Sequence, residues 1–556
     1  MTDQPTPTVP SEAPRRSLTD RVLRASAIVF AAHIILKFCG LIQAKLIAQY
    51  FGADSANADV WAIVVDKILF ALFLIGEESL GPAFLPVFKG ALDDDREPDA
   101  WTFARTVIFG YAVAIALVCA ALIAYPDAIL RHLTAFDGGG SAGQDALSQA
   151  ARILPYAAIG LFGLSIGSIT YVILNGYKKF FIAALGDSAY KIGLIVALFV
   201  FASKYGAWAA AAGFVAGGTL KLALHLFGLR DKKQYILSLK ISFTSPEFRK
   251  MLALTAPILI GILFARFRDY VTDLYAISNL YDAANDRNWI SLASFGKKIY
   301  QTVHHIAPYA ISIAMYPYFV ELIDKSDRDA LGQFITRSSR MIIALLLPVS
   351  FSFAALMTPL SQLLFTGGKT TFATATEIGL INAVYVLVLA PQAVETFLLQ
   401  GFFSDRRMLS PILIGLAFSA ATAGISVLIC RPEMIGLSGL NAVLAVGMTF
   451  VIARWIKAAV LILWFRRRTP SFPLKETAGF LFRAMAVAVA VGACAYGTDA
   501  VLADRLTIAP RLANIVRLAS GGAVSFVIYF AGCRILKLNE LTDAIGYCRE
   551  KIKRRK

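Results

Sequence analysis

The sequence predicts an all-α polytopic membrane protein of about 14 transmembrane helices, two six-helix lobes plus a C-terminal helix pair. Three observations predict it. Composition is displaced on two axes together: 57% of the 556 residues are hydrophobic and 16% charged, against roughly 45–50% and 25% in soluble domains. The apolar residues come in runs of about 20, enough to cross a hydrocarbon layer about 30 Å thick. Basic residues collect in alternate loops between those runs, the bias that sets membrane orientation. Irregular backbone cannot face lipid, so the runs are expected as helices. A soluble chain of three or four domains, the reading from length alone, is excluded.

Taken in order, residues 1–21, rich in Pro, Ser and Thr, are expected as a disordered cytoplasmic tail. The first span, 22–50, is too long for a signal-peptide core and is read as retained. Spans at 60–88, 101–125, 150–175, 180–202 and 206–228 complete an N-terminal lobe, 22–228. A basic cytoplasmic loop, 229–248, precedes six more spans: 249–278, 289–319, 336–365, 374–402, 409–430 and 437–465, forming a C-terminal lobe over 249–466. The segment 467–537 holds the last pair, 477–497 and 512–537, and 538–556 is a basic cytoplasmic tail. Transporters are often built from repeated halves, although no strong residue-level repeat is visible here.

One side of the alternation carries clusters such as Lys178-Lys179, Arg230 with Lys232 and Lys233, and Arg466-Arg467-Arg468. The other side has only Arg131, Lys204, Arg287, Lys369, Arg431, Arg505 and Arg511 in its seven loops. Both termini are therefore expected in the cytoplasm. The formal charge of +17 is topological on this reading, and no nucleic-acid partner is expected. The six cysteines form no CxxC pair, so neither a disulfide framework nor a zinc site is expected.

Apparent enzyme motifs fail on context. Gly163-Leu164-Ser165-Ile166-Gly167 fits a nucleophile elbow but lies mid-span with no strand before it; the same residues form GxxxG, a helix-packing device. Gly367-Gly368-Lys369-Thr370 resembles half a phosphate loop, but the first glycine is missing, with Leu363 in its place. Asp93-Asp94-Asp95 sits in a loop too small for a catalytic domain. The five histidines show no metal spacing. No cofactor, metal or enzymatic activity is expected.

Charges within spans are expensive and mark pathways or binding sites by default. The first two spans carry Lys37, Lys45, Asp66, Lys67, Glu77 and Glu78, and the seventh carries Arg266, Arg268, Asp269 and Asp273. The eighth has Lys297, Lys298, His304 and His305, then Pro308 and Pro317. Asp187 and Lys191, four residues apart, read as a helical pair on one face. Arg454 and Lys457, near a cytoplasmic end, read as snorkelling side chains, while Glu395 lies within the tenth span. Lys45 and Asp273 sit toward outer ends, where interfacial solvation competes with a site. Lys37, Glu77 and Lys297-Lys298 lie deeper. Cations on spans from both halves would line a shared positive cavity, which suits a phosphate or pyrophosphate better than a cationic drug.

Two stretches carry a family resemblance. Gly40-Leu-Ile-Gln-Ala-Lys-Leu-Ile-Ala-Gln-Tyr-Phe-Gly-Ala53, Ala58-Asp59, and Glu77 with Ala83-Phe84-Leu85-Pro86-Val87-Phe88 resemble the opening of the MurJ/MviN lipid II flippases. From Lys298 through Met315-Tyr316-Pro317 and Leu363-Leu364-Phe365 to Phe402-Phe403-Ser404-Asp405-Arg406, the chain is similar to that family's eighth to tenth helices and a following cytoplasmic turn. The resemblance covers most of the chain. It implies the multidrug/oligosaccharidyl-lipid/polysaccharide exporter superfamily, with two lobes around a cationic cavity and a final helix pair forming a groove for a lipid tail. Lys37 and Lys298 fall on cavity arginines of the family, and Asp59 and Glu77 on its acidic positions. Two further family arginines are replaced, by Gln43 and Leu72.

The expectation is a flippase moving a polyprenyl-diphosphate-linked glycan precursor, lipid II or similar, from the inner to the outer leaflet for peptidoglycan synthesis. Its head is expected at Lys37 and Lys298, with Lys297, Arg266, Asp59 and Glu77 as further site residues. The implied partners are an undecaprenyl-diphosphate type of lipid-linked glycan, membrane lipids and cell-wall synthesis proteins, in a bacterial inner membrane. An exopolysaccharide or O-antigen repeat-unit flippase, or a transport-inactive scaffold of a cell-wall complex, remain alternatives. Arg-to-Lys exchange loses the bidentate fork for a diphosphate.

Overall fold

The computed structural model describes residues 18–135, 141–238, 240–282, 285–304, 315, 319–323, 325, 327–404, 409–467 and 473–538. Of the expectations above, the tails over 1–17 and 539–556, His305, Pro308, Pro317 and the Asp405-Arg406 turn lie outside those residues.

The long first helix, α1 (Leu18–Phe51), gives way at Gly52 to α2 (Ala56–Trp61). The Ser55 hydroxyl caps α2 by accepting from the Ala58 amide at 3.2 Å, one of the four amides a helix start leaves unpaired. Helix α2 runs unbroken into a π-helical stretch, Ala62–Leu69, and then α3 (Phe70–Asp93). There follow α4 (Glu97–Ala124), α5 (Pro126–Leu133), α6 (Ser141–Gly176), α7 (Phe180–Tyr205) and α8 (Ala207–Gly228). The connection holding α9 (Lys233–Ile236) leads to α10 (Pro246–Tyr270), extended by a second π-helical stretch, Val271–Tyr275. A short antiparallel hairpin, β1 (Tyr281–Asp282) and β2 (Arg287–Asn288), pairs Tyr281 with Asn288. After α11 (Ile290–Phe295) and α12 (298–304) come α13 (Arg328–Phe365), α14 (Phe372–Val386) and α15 (Leu389–Ser404). The chain continues through α16 (Leu409–Ile429), α17 (Pro432–Ile435), α18 (Gly439–Arg466), α19 (Leu474–Arg505) and α20 (Pro510–Ile535).

Among the described residues eleven helices are long and apolar enough to cross a membrane, or twelve if α14 and α15 form one span bent by 40°. Pro391 in the first turn of α15 fits that bend, because proline has no N–H to continue the ladder. The expected count of fourteen is not reached. The two shortfalls are 60–88, which carries Asp66, Lys67, Glu77 and Glu78, and 289–319, which carries Lys297 and Lys298 and is described only in part. Both put their charges on an internal cavity rather than on lipid.

Helix α6 packs on α3, α4 and α8, and α7 packs on α1 and α8. A Cβ added to Gly163 would meet the Gly218 carbonyl at 3.2 Å, so GxxxG brings α6 and α8 into backbone contact. Helices α13, α14, α15, α16 and α18 form a second set of neighbours, and α19 and α20 pack together against α13. Helix α10 lies against α3 on one side and α16 on the other. One apolar core runs from Ile47 and Trp61 through Leu154 and Phe214 to Ile290, Met357, Ile381 and Val443, joining early and late parts of the chain.

Candidate functional site

A cavity of about 850 Å³ opens where α1, α3, α7, α10 and the α11–α12 segment converge. Lys37, Lys67, Lys191, Arg266, Lys297 and Lys298 line it, together with Asp66, Glu77, Glu78, Asp187, Asp269 and Asp273. The lining is therefore charge-balanced, not simply cationic as expected. Isolated charges in a low-dielectric interior are costly, so most of these groups meet a partner.

The pairings cross between helices. Lys298 Nζ lies 2.5 Å from Asp66 Oδ2. Lys67 is 3.2 Å from Asp273, which also pairs with Lys297. Arg266 reaches Glu78 at 2.5 Å. Lys67 and Asp273 each sit in a π-helical stretch; the wider turn is a device frequently found at functional positions. Among the described residues, Lys37 and Lys191 form no ion pair. Lys191 instead donates to Gln43 Oε1 at 3.0 Å and sits 5.5 Å from the Phe70 ring centre.

Of the six expected site residues, Lys37, Lys297, Lys298, Arg266 and Glu77 line this cavity. Asp59 does not. It is 1% exposed and accepts from the Ser291 amide at 2.9 Å, tying α2 to α11. The expected Asp187–Lys191 pair does not form: Asp187 holds Lys221 at 2.5 Å, and Glu77 lies 4.0 Å from the same ammonium. Lys221 is 1% exposed and went unnoticed in the sequence, where its one signal is a lysine within the apolar span 206–228. Arg454 and Lys457 do not snorkel; they turn inward onto Glu395 at 2.6 and 2.7 Å. Asp273 is likewise an internal counterion rather than an interfacial group.

Beyond Ile47 and Ala58, which line the cavity, loops from both halves of the chain are stitched together. Gly367-Gly368-Lys369-Thr370 is a tight turn docked on the end of α1. The Lys369 amide donates to Gln49 O at 2.9 Å, and Thr370 Oγ1 accepts from the Ala53 amide at 3.0 Å. Arg287 forks onto Glu377 with two 2.9 Å bonds and reaches Asp282 at 3.1 Å. The Asn285 side chain, and after it Arg287, donates to Asp282 and holds its carboxyl below the ordinary 3.8. Asp54 accepts from Thr374 Oγ1 at 2.9 Å. This end of the cavity is closed.

A paired but polar chamber between two helix groups, shut at one end, is suited to carrying a charged group through a membrane interior. Residues 47–510 match the family model of the lipid II flippase MurJ. The probable lipid II flippase MurJ of Borreliella burgdorferi is 22% identical over 525 residues, covering 93% of this chain and 97% of that one. That of Rhizobium meliloti is 22% identical over 531 residues, covering 92% and 93%. In fold, a solved lipid II flippase MurJ in an inward closed conformation matches with a TM-score of 0.70 at 18% identity, over 92% of this chain and 99% of that one. An inward-facing multidrug resistance MATE family transporter of the MOP superfamily matches with a TM-score of 0.66 at 13% identity, over 80% and 98%. These families are transporters, not enzymes. The protein is an integral multi-pass membrane protein, and its chain belongs to the MurJ lipid II flippase family.

Proposed function

We propose that the protein is a flippase that translocates a polyprenyl-diphosphate-linked glycan, lipid II or a close analogue, from the inner to the outer leaflet of a bacterial cytoplasmic membrane. Beside the family membership, one observation carries the reading. Among the described residues, Lys37 and Lys191 are the cations of the 850 Å³ cavity without an acidic partner, beside Lys298, whose bond to Asp66 can be exchanged for a ligand. A diphosphate entering at Lys37 and Lys191 gains lysine ammoniums as point charges without stranding a buried carboxylate; recruiting Lys298 as well leaves Asp66 held by Ser294 Oγ at 3.1 Å. The polyprenyl tail stays in lipid beside α19 and α20. Both termini face the cytoplasm, so the closed Arg287 end faces outward. Rocking of one helix group against the other opens that end and closes the opposite one.

The test is complementation of a bacterial strain depleted of its own lipid II flippase. Wild-type protein rescues growth; Lys37→Ala and Lys298→Ala reach the membrane at normal level and do not. Failure of the wild type despite good expression removes lipid II as the substrate, and rescue by both variants removes the cavity mechanism.

A further inference from the structure

Beside the main cavity lies a side pocket of about 230 Å³, bounded by α10, α16 and α18, with Arg266, Asp269, Asp273, Lys297 and Gln301 shared between the two. Its ion network is not neutral. Among the described residues, Lys67, Arg266, Arg268, Lys297, Arg454 and Lys457 are answered by four carboxylates, Glu78, Asp269, Asp273 and Glu395. Asp273 and Glu395 each serve two cations. An excess of positive charge within membrane-spanning helices is unfavourable until a counter-anion joins it.

Donors for that anion are in place. Arg266 Nε is buried and has no hydrogen-bond partner among the described residues. The guanidinium carbons of Arg268 and Arg454 lie 5.7 and 5.0 Å from the Phe450 ring centre, so one aromatic ring steadies two planar forks at the pocket wall. Such forks grip carboxylate or phosphate oxygens in pairs, which lysine cannot do; Arg454 gives Nη1 to Glu395 and Arg268 gives Nε and Nη2 to Asp269, so an anion uses their other donors or shares these.

Resting on the flippase reading, we infer that this pocket is a second anion subsite, in which Arg268, Arg454 and Arg266 hold a carboxylate or phosphate group apart from the diphosphate at Lys37. The anion belongs either to another part of the transported head or to a free oxyanion that accompanies it.

Calorimetric titration of the purified full-length protein in nanodiscs with inorganic pyrophosphate reads both sites. Two anions bind per chain. Arg268→Gln or Arg454→Gln weakens one binding event tenfold or more, about 1.4 kcal/mol, and leaves the other; Lys37→Ala does the reverse. Arg268→Lys, which keeps the charge without the fork, gives a smaller loss, and an unchanged melting temperature separates lost binding from misfolding. One anion per wild-type chain, or Arg268→Gln and Lys37→Ala acting on the same event, overturns the subsite. Lys37→Ala leaving both events intact sinks the diphosphate placement and spares the subsite. In proteoliposomes, added inorganic phosphate slows lipid transport if the subsite takes part of the head, and speeds it if a free anion travels along. No response at saturating phosphate overturns a role in transport.

Discussion

Lys191 on α7 donates a 3.0 Å hydrogen bond to Gln43 Oε1 on α1. By the family resemblance Gln43 takes the place of an arginine, and Lys191 brings a positive charge to the same spot from a neighbouring helix. The other exchanged position, Leu72, packs against the apolar core.

This relocation predicts that Lys191→Ala lowers lipid transport by roughly ten- to a hundredfold, the scale of a lost charge-assisted hydrogen bond of about 1.5–3 kcal/mol. Gln43→Arg in the same background restores most of it. Initial rates in proteoliposomes check both, and an unimpaired Lys191→Ala protein contradicts the relocation.

Asp273 is shared by Lys67 and Lys297. Asp273→Asn leaves two buried cations facing a neutral amide, and removing one partner of a buried pair costs about 3–5 kcal/mol. The melting temperature of the purified protein should fall clearly, and adding Lys67→Met should recover part of it. Additive losses in the double variant would show that the two residues are not coupled.

Gly368 has φ +60°, and a Cβ there would lie 2.1 Å from Gln49 O. Gly368→Ala therefore combines left-handed strain of about 1–2 kcal/mol with a backbone clash. The turn should lift from α1, seen as faster amide hydrogen exchange at Lys369. Unchanged protection at that amide would mean that the turn is not held by this approach.

The Arg287–Asp282–Glu377 cluster gives a signed pH dependence. The carboxyl of Asp282 is held below its ordinary 3.8 by Asn285 and Arg287. Its contribution is complete above that value and is lost as pH falls through the lowered one. Hydrogen-exchange protection of 281–291, corrected for intrinsic rates, should stay level from neutral pH down to about pH 4 and drop below it. Glu377→Gln should loosen the same segment at neutral pH. A decline centred near pH 6 would point to a different group.

Membrane class and most spans were legible in the sequence because burial in lipid is a property of each segment: twenty apolar residues are read one at a time. Lys37, Glu77, Lys297 and Lys298 stood out for the same reason, being charges where hydrocarbon was due. Pairing was not legible. Helical spacing put Asp187 beside Lys191, whereas the fold gave Asp187 to Lys221 and Lys191 to Gln43, because spacing sees one helix and a low-dielectric interior settles charge between neighbours. Asp59 looked like a site residue until the approach of α11 gave it an amide to hold, and Arg454 and Lys457 looked interfacial until Glu395 proved to lie within reach. Sequence alone determined that a handful of charges are buried in an apolar chain; tertiary structure decided which of them neutralise each other and which remain for a ligand, since that depends on distances across helices that the order of residues does not contain.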